Sequence, residues 1–299
     1  MRKMLLIMNP YSGQRKGQRY LAQIIEMFNR ADFEVITYMT ACQGDAKVVV
    51  QRYVNAVDMV VCCGGDGTFN ETAAGILESG VDVPIGYIPA GSTNDFATSL
   101  KLPTALLKAA KNIIEGKARR VDMGTFNGRQ FSYVASFGAF TRTSYATPQN
   151  VKNVLGHAAY VLGGIQEVAR IKRRHLRFEL ADGTVVEDDF IFGAVSNSTS
   201  VAGILTLSDQ YVDMSDGQLE LLLIRPPKDV AELANCIDAL LKKHYNNRMI
   251  TFVSTDRVKI IAPEDMDWTL DGEQQTGSSE IQVECLSGAI SIICPEETK

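Results

Sequence analysis

Residues 58–71 read DMVVCCGGDGTFNE, and this stretch decides how the first part of the chain is interpreted. An apolar run, Met59 to Cys63, leads into the glycine-rich segment Gly64 to Thr68, and the residues from Glu71 to Glu78 favour a helix. A strand that passes through such a turn into a helix leaves backbone N–H groups without partners, and these amides bind phosphate. The glycines would permit close approach and positive φ angles. An ordinary strand-to-helix turn has the same appearance, so the rest of the chain has to decide.

Composition narrows the class of protein. The chain has 299 residues, 45% of them hydrophobic and 22% charged, which is typical of a soluble protein with one large or two modest domains. A net charge of −5 provides no basic field for nucleic acid, so no nucleic-acid partner is expected. Six cysteines without C-x-x-C spacing and three scattered histidines argue for reduced thiols and against a histidine-based zinc site. The N-terminal apolar run is too short for a signal peptide and no stretch approaches the ~20 apolar residues of a membrane span, so we expect a cytoplasmic protein.

The pattern of apolar runs changes near residue 120. Before it, strands alternate with helices, and repeated βα units predict an α/β domain with a parallel sheet over residues 1–120. The expected strands there are Met4 to Met8, Phe33 to Met39, Met59 to Cys63 and Pro84 to Ile88. After it, short runs with frequent turns predict a largely antiparallel, β-sandwich-like second domain over residues 121–299, interrupted by a helix over 151–172. The strands expected there include Val185 to Ser196, Ile281 to Leu286 and Ala289 to Cys294.

Polar or glycine-rich segments follow four of the predicted parallel strands. They are Asn9 to Gly13, Thr40, Gly64 to Asn70, and Gly91 to Asp95. Because the carboxyl ends of parallel strands share one edge of an open sheet, and ligands bind in the crevice there, we expect the four segments to form a nucleotide site.

Three motifs together resemble the lipid kinases of the diacylglycerol kinase catalytic-domain family, which includes bacterial diacylglycerol kinases and sphingosine-kinase-like enzymes. They are Asn9-Pro10-x-Ser12-Gly13, Gly64-Gly65-Asp66-Gly67-Thr68 with Asn70-Glu71, and Gly91-Ser92-Thr93-Asn94-Asp95-Phe96. The GGDGT motif alone also occurs in NAD kinases, so the assignment depends on the other two motifs. Ala90 departs from the family pattern, and we expect this to be harmless.

The resemblance implies that ATP binds between the two domains. The implied nucleotide-site residues are Asn9, Pro10, Tyr11, Ser12, Gly13, Thr40, Gly64, Gly65, Asp66, Gly67, Thr68, Phe69, Asn70, Thr93, Asn94 and Asp95. The chain has no G-x-x-x-x-G-K-[ST] loop, so phosphate binding would depend on amides, hydroxyls and metal. A carboxylate at Asp66 beside phosphate oxygens favours Mg²⁺. Helix N-capping is the alternative role for Asp66, Asn94 and Asp95.

Candidate catalytic and metal-binding residues come from the second domain. By resemblance, Asp271 or Glu273 would be the base that accepts the proton of a lipid hydroxyl, and the residues alone do not decide between them. A hairpin turn at Asp271-Gly272 is the alternative, and it would separate the two carboxylates. The resemblance also implies a second, structural Mg²⁺ held by Asp213, Asp216 and the backbone near Gln218. The alternative there is a loop with solvated acids.

These features predict an ATP-dependent lipid kinase, with diacylglycerol as the expected acceptor and phosphatidic acid as the product. A soluble-substrate kinase such as an NAD kinase and a non-catalytic nucleotide-binding module are the alternatives. The basic runs Arg170 to His175 and Lys117 to Arg120 suggest transient peripheral membrane contact, although cations also complement the dipole at the end of a helix. A homodimer is left open.

Overall fold

The computed structural model describes residues 1–138, 172–201, 205–208 and 210–296. It divides into two compact units, one formed by Met1–Met123 with the C-terminal segment from Leu286, and the other by Gly124–Cys285. The predicted boundary lies near residue 120 and puts everything after it in the second domain. In the structure the C-terminal segment belongs to the first unit, where Ile292 pairs in parallel with Ile85. The helix predicted over 151–172 falls outside the described residues except for its last position.

The first unit is an α/β structure. Its strands and helices are β1 (Arg2–Met8), α1 (Lys16–Arg30), β2 (Phe33–Met39), α2 (Asp45–Tyr53), β3 (Met59–Gly64), α3 (Asp66–Ser79), β4 (Ile85–Pro89), α4 (Asp95–Ser99) and α5 (Leu106–Glu115). The strand order is β2-β1-β3-β4, and every one of these pairings is parallel. Residues 4–8 of β1 are fully buried on both faces, as the continuous apolar run predicts. The predicted parallel sheet is therefore confirmed.

The second unit is built from antiparallel strands. The remaining elements are β5 (Lys117–Phe126), which begins in the first unit, β6 (Arg129–Phe131), β7 (Val134–Gly138), β8 (Arg174–Leu180), β9 (Val185–Phe190), β10 (Phe192–Ser196), β11 (Ser200–Val201), β12 (Leu205–Thr206), β13 (Leu219–Ile224), α6 (Val230–Leu241), β14 (Ile250–Thr255), β15 (Arg257–Ile261), β16 (Asp267–Leu270), β17 (Glu273–Thr276) and β18 (Glu280–Cys294). One sheet has the order β14-β13-β10-β7-β16-β17. In the other, β15 pairs with β8 and with the first part of β18, and β8 pairs with β9.

An aromatic core lies between these two layers of strands. The Trp268 ring lies 5.1 Å from Phe126 and 4.9 Å from Phe137, measured between ring centroids. Phe178, from the opposite layer, stacks on Phe137 at 6.5 Å. All four side chains are buried, which is how two sheets form a sandwich. The predicted sandwich-like architecture of the second domain is confirmed.

Several predicted boundaries differ from the structure. The apolar run from Val185 to Ser196 is two strands, because the chain leaves one sheet at Ile191 and enters the other. The two runs predicted between Ile281 and Cys294 form the single strand β18. Lys117 to Arg120 lie in β5, which begins directly after the C-cap Gly116 of α5, so only Lys117 is close to a helix end. Within the described ranges, every helix is too short or too polar to span a bilayer.

Candidate active site

Three loops of the first unit come together at the carboxyl ends of β1, β3 and β4. A Cβ atom on Gly91 would lie 2.7 Å from the Cα of Gly65, and one on Gly13 would overlap the carbonyl oxygen of Ala90. No real Cβ makes such contacts with backbone, so these glycines are needed for loop-to-loop packing. Gly65 itself has extended backbone (φ −90°, ψ −175°). Glycines 64, 65 and 67 all lack the positive φ angles that were expected. Glycine is needed at Gly65 because the backbone of Gly91 approaches it closely.

A cavity of about 340 Å³ opens between the loop after β1, the loop after β2 and the start of α3, entirely within the first unit. Seven predicted site residues line it: Asn9, Tyr11, Ser12, Thr40, Gly65, Gly67 and Thr68. Four further lining residues were not predicted: Ala41, Cys42, Gln43 and Glu71. None of these described lining residues is a lysine or arginine. The cavity therefore offers amides and hydroxyls to a ligand, as expected from the motifs.

The loop after β1 is tied to the start of α3 by Asn9. The Nδ2 of Asn9 donates to the Oγ1 of Thr68 at 3.0 Å, while its Oδ1 accepts from the N–H of Tyr11 at 2.9 Å. Helix α3 begins at Asp66, earlier than the predicted helix, so Gly67 and Thr68 lie in its first turn. Their backbone N–H groups belong to the helix end at which anions bind.

Asp66 and Asp95 form a buried acidic pair, with relative exposures of 9% and 6%. The Oδ2 of Asp66 accepts from the N–H of Asp95 at 3.2 Å and from the hydroxyl of Thr93 at 3.3 Å, and its Oδ1 accepts from the N–H of Phe96 at 3.4 Å. Asp66 therefore receives the first amides of α4 and does not cap its own helix. Burial, followed by the charge of Asp95, raises the pKa of Asp66 above its usual value, while these hydrogen bonds act in the opposite direction.

Asn94 shapes the loop that precedes α4. Its side chain bonds both backbone polar groups of one residue, accepting from the N–H of Gly91 at 2.8 Å and donating to the carbonyl of Gly91 at 3.0 Å. Its left-handed backbone (φ 54°) is one that asparagine tolerates well. Asn94 therefore closes the loop that places Thr93 and Asp95 beside Asp66.

The other predicted nucleotide-site residues do not line the cavity. Phe69 is fully buried and stacks on Phe96 at 4.2 Å, so it packs in the core beneath the site. Gly64 lies under Thr68, whose Cβ would be 2.6 Å from a Cβ added to the glycine. The other predicted nucleotide-site residues that do not line the cavity are Pro10, Gly13, Asp66, Asn70, Thr93, Asn94 and Asp95.

In the second unit, Asp271 is a turn residue. It and Gly272 have φ angles of 48° and 85° and join paired residues Leu270 and Glu273, which is a two-residue hairpin turn. The Asp271 carboxylate is buried and accepts from three consecutive backbone N–H groups at 2.5, 3.0 and 3.0 Å. These amides belong to Ser132, Tyr133 and Val134, at the break between β6 and β7. The turn that we gave as the alternative is thus present, and it separates the two carboxylates.

Glu273 has a more open environment than Asp271. Its side chain is 39% exposed and its Oε2 pairs with the guanidinium of Arg129 at 2.7 Å. Arg129 also donates to the Oε1 of Gln275 at 2.7 Å. Because the Glu273 carboxylate is at the surface, a substrate hydroxyl can approach it.

The loop predicted to hold a structural metal is closed by its own acids. The Oδ1 of Asp213 accepts from the N–H and the hydroxyl of Ser215 at 3.1 and 2.7 Å, and the Oδ1 of Asp216 accepts from the N–H of Gln218 at 2.9 Å. Among the described residues no group of three or more His, Cys, Asp or Glu is placed to hold a metal. A site made from these two carboxylates and backbone oxygens stays a prediction.

Glu71 belongs to the second motif and lines the cavity, although it is not among the residues that the sequence predicts for the nucleotide site. It follows Thr68 by three positions in α3, so the two side chains lie on the same face of the helix. The helical spacing could have identified it, had α3 been predicted to begin at Asp66.

The two glycines Gly91 and Gly67 should respond differently to alanine. Gly91→Ala pushes a methyl into the backbone of Gly65, and we expect it to lower the free energy of unfolding by about 1–3 kcal/mol. Gly67→Ala has nothing within 4 Å of the new Cβ, and we expect a change within about 0.5 kcal/mol. Urea denaturation of both variants measures this, and equal losses would contradict the packing role of Gly91.

Neutralising Asp66 should stabilise the ligand-free protein. A raised pKa means that the folded state disfavours the ionised form of Asp66. The free energy of unfolding therefore falls as this carboxyl loses its proton, that is, as pH rises through the folded pKa. We expect Asp66→Asn to add more to the free energy of unfolding at about pH 8 than at about pH 4, near the usual pKa of an aspartate, because only the carboxylate carries the penalty of burial beside Asp95. Urea denaturation at both pH values tests it, with the exposed Glu34→Gln as control. A gain no larger at about pH 8 than at about pH 4 would contradict the prediction.

Comparison with known proteins places this chain in a family. A model of the diacylglycerol kinase catalytic domain matches residues 3–126, and a model of the YegS C-terminal NAD kinase beta sandwich-like domain matches residues 134–294. A diacylglycerol kinase of Bacillus subtilis is 32% identical over 275 residues, which is 91% of this chain and 90% of that one. A diacylglycerol kinase of Staphylococcus carnosus is 32% identical over 271 residues, covering 90% and 87%.

Solved structures agree with this placement. A crystal structure of a diacylglycerol kinase from Bacillus anthracis matches with a TM-score of 0.79 at 26% identity, covering 99% of this chain and 98% of that one. The resemblance drawn from the three motifs is therefore confirmed by the whole length of the chain. This protein belongs to the diacylglycerol kinase catalytic domain family and is a phosphotransferase of the kinase class.

Proposed function

We propose that the protein transfers the γ-phosphoryl group of ATP to the hydroxyl of a lipid alcohol, with diacylglycerol as substrate and phosphatidic acid as product. The observation that carries the proposal is the cavity of the first unit. Most of its lining residues lie in two of the motifs that resemble the diacylglycerol kinase catalytic domain, and its polar groups suit a triphosphate. The relatives from Bacillus and Staphylococcus bear the name diacylglycerol kinase, which supports this acceptor.

The residues of the first unit fit a Mg²⁺ ion. Two buried carboxylates, Asp66 and Asp95, are close enough that the charge of one raises the pKa of the other, and a cation between them and the phosphates would offset that repulsion. Mg²⁺ keeps most of its waters and needs only one or two protein carboxylates besides phosphate oxygens. When bound, it would neutralise charge on the phosphates. We propose Asp66 and Asp95 as the residues that hold it.

Positioning is the contribution we assign to the loops of the first unit. Ser12 and Thr68 would donate hydroxyl hydrogen bonds, and the amides at the start of α3 would bind phosphate oxygens. Phosphoryl transfer needs little covalent chemistry from the protein, so orientation and charge neutralisation account for most of the rate.

We propose Glu273 as the base and Asp271 as the residue that positions it. Both oxygens of Asp271 already accept backbone N–H groups, which fixes the hairpin turn immediately before Glu273. Glu273 is half-exposed, so its carboxylate is accessible from solvent. Its carboxylate would accept the proton of the lipid hydroxyl as the phosphoryl group arrives. A structural Mg²⁺ at Asp213, Asp216 and the Gln218 backbone remains part of the proposal.

Substitutions at these carboxylates separate the two roles. We expect Glu273→Gln to lower kcat by roughly 10²–10⁴-fold with little change in ATP affinity or stability, since proton acceptance alone is lost. We expect Asp271→Asn to lower kcat as well and also to destabilise the protein by about 1–3 kcal/mol, because a buried acceptor of three amides is weakened. Steady-state kinetics, ATP titration and urea denaturation measure these effects, and Gln275→Ala is the control on the same strand.

Full activity of Glu273→Gln would remove Glu273 from the mechanism. Loss of ATP binding in the same variant would instead mean that this carboxylate holds the nucleotide.

A soluble-substrate kinase is the second candidate, because the matched C-terminal model is named for an NAD kinase-like sandwich. A panel of acceptors distinguishes the two. With γ-labelled ATP and Mg²⁺, we expect label in phosphatidic acid when diacylglycerol is presented in vesicles with anionic phospholipid, and none in NADP when NAD is supplied. Ceramide, sphingosine and monoacylglycerol vesicles define the acceptor, and Glu273→Gln controls for contaminating kinases.

Label transferred to NAD alone would refute the lipid assignment, and ATP binding without transfer to any acceptor would favour a non-catalytic module. Transient membrane contact belongs to the proposal too. Parallel assays at low and high salt test it, because attraction of exposed cations such as Lys172 and Arg173 to an anionic surface is screened by salt.

A further inference from the structure

The segment from Thr40 to Gly44 forms one wall of the nucleotide cavity, with Ala41, Cys42 and Gln43 among the lining residues. It joins β2 to α2 and has no regular secondary structure over Thr40 and Ala41. A loop of this kind keeps its shape only if its backbone groups find partners. The contacts at its two ends therefore decide the shape of this wall.

The first end of the loop is held by Asp45. Its Oδ2 accepts from the N–H of Ala41 at 2.8 Å, and its Oδ1 accepts from the hydroxyl of Tyr38 at 3.4 Å. Asp45 is the first residue of α2, so this contact folds the loop back onto the start of the helix.

The second end lacks a local helix cap. Gly44 occupies the N-cap position of α2 with left-handed backbone (φ 84°) and has no side chain to accept the first amides. Glu71, from α3, takes that place. Its Oε1 accepts from the N–H of Gly44 at 2.7 Å and its Oε2 accepts from the N–H of Ala46 at 3.2 Å. A carboxylate at a helix N-terminus is also favoured by the helix dipole.

Helices α2 and α3 approach closely enough for this contact because of Gly75. A Cβ on Gly75 would lie 2.8 Å from the Cβ of Val50 and 2.9 Å from the carbonyl oxygen of Lys47. One turn further along α3, Glu78 makes a second contact with α2, accepting from Lys47 at 2.6 Å and from Gln51 at 3.1 Å. Glu71 and Glu78 are thus two acids that bridge the same pair of helices, and only Glu71 reaches the loop.

We infer that Glu71 is a positioning residue for the nucleotide site, which caps α2 from a neighbouring helix and so fixes the Thr40–Gly44 wall. The inference rests on the proposed ATP binding in this cavity. A carboxylate pointing at a triphosphate would repel it, whereas a carboxylate that accepts two amides of a helix end has its charge offset. The contribution of Glu71 is the conformation of the loop and not a contact with the nucleotide.

The exposed thiol of Cys42 reports on this loop before any nucleotide is added. The buried thiols of Cys62, Cys63, Cys236 and Cys294 should react more slowly, since burial raises the pKa of Cys63 to about 12 and of Cys236 to about 11. Cys285 is half-buried, so the Cys42→Ser control is needed to separate its reaction from that of Cys42. Iodoacetamide should alkylate Cys42 in a fast phase that a Cys42→Ser control lacks. The rate of this phase measures how well the loop is ordered. Mass spectrometry of the tryptic peptide assigns the site.

We expect Glu71→Ala to raise the alkylation rate of Cys42 in the nucleotide-free protein about 5-fold, because the loop loses the side chain that holds its second end. The KM for ATP should rise about 5- to 10-fold while kcat changes less than about twofold, which is the pattern of lost ground-state positioning. Glu71→Gln keeps one acceptor oxygen and should give intermediate values of both quantities. Glu78→Ala, the matched control, should leave both within about 1.5-fold of wild type.

A raised KM with unchanged Cys42 alkylation in Glu71→Ala would overturn the inference, because it would mean direct contact with the nucleotide. Equal effects of Glu78→Ala and Glu71→Ala would also overturn it, since general packing of α2 on α3 would then be responsible. Failure of the wild-type protein to use ATP would refute the proposed function instead, and the alkylation rates would still decide whether Glu71 orders the loop.

Discussion

The close contact between the backbones of Gly65 and Gly91 is the constraint on which the site of the first unit depends. A Cβ on Gly91 would lie 2.7 Å from the Cα of Gly65, and one on Gly65 would lie 3.3 Å from the Cα of Gly91, which is already tight. This contact brings the start of α3 against the loop that ends in α4, so that Asp66 receives the amides of Asp95 and Phe96. As a result, two carboxylates are buried close to each other. Burial, followed by the charge of Asp95, raises the pKa of Asp66. Buried charges that repel each other are common at functional sites, where a bound ligand or cation offsets the repulsion.

In the second unit a tight turn has a comparable role. The left-handed backbone of Asp271 and Gly272 makes the hairpin between β16 and β17, and the Asp271 carboxylate replaces the ladder partners missing at the break between β6 and β7. This use of Asp271 leaves Glu273 at the surface of the edge strand, paired with Arg129. The two acids, two positions apart in sequence, therefore have different environments and are proposed to have different roles.

Much of the fold was predictable because buried strands and helices require apolar residues at regular positions in the sequence. Continuous apolar runs marked β1 and β3, and the predicted limits Phe33 to Met39 agree with β2. The run from Val185 to Ser196 predicts one strand but forms two, because both strands are apolar where they meet and only their pairing partners separate them. The sequence predicts two strands where the structure has only β18, because Gly288 (φ 55°) interrupts the apolar pattern without ending the strand.

The sequence by itself determined the two architectures, the family, and the segments expected to bind nucleotide, because each of these follows from local patterns and motif spacing. Only the tertiary structure decided what individual residues of those segments contact. It assigned Phe69 to the core, Gly65 and Gly91 to loop packing, Asn94 to loop closure and Glu71 to the start of another helix. The physical reason is that hydrogen bonds and steric contacts between residues far apart in the chain depend on distances of a few tenths of an ångström, which no pattern of residue types records.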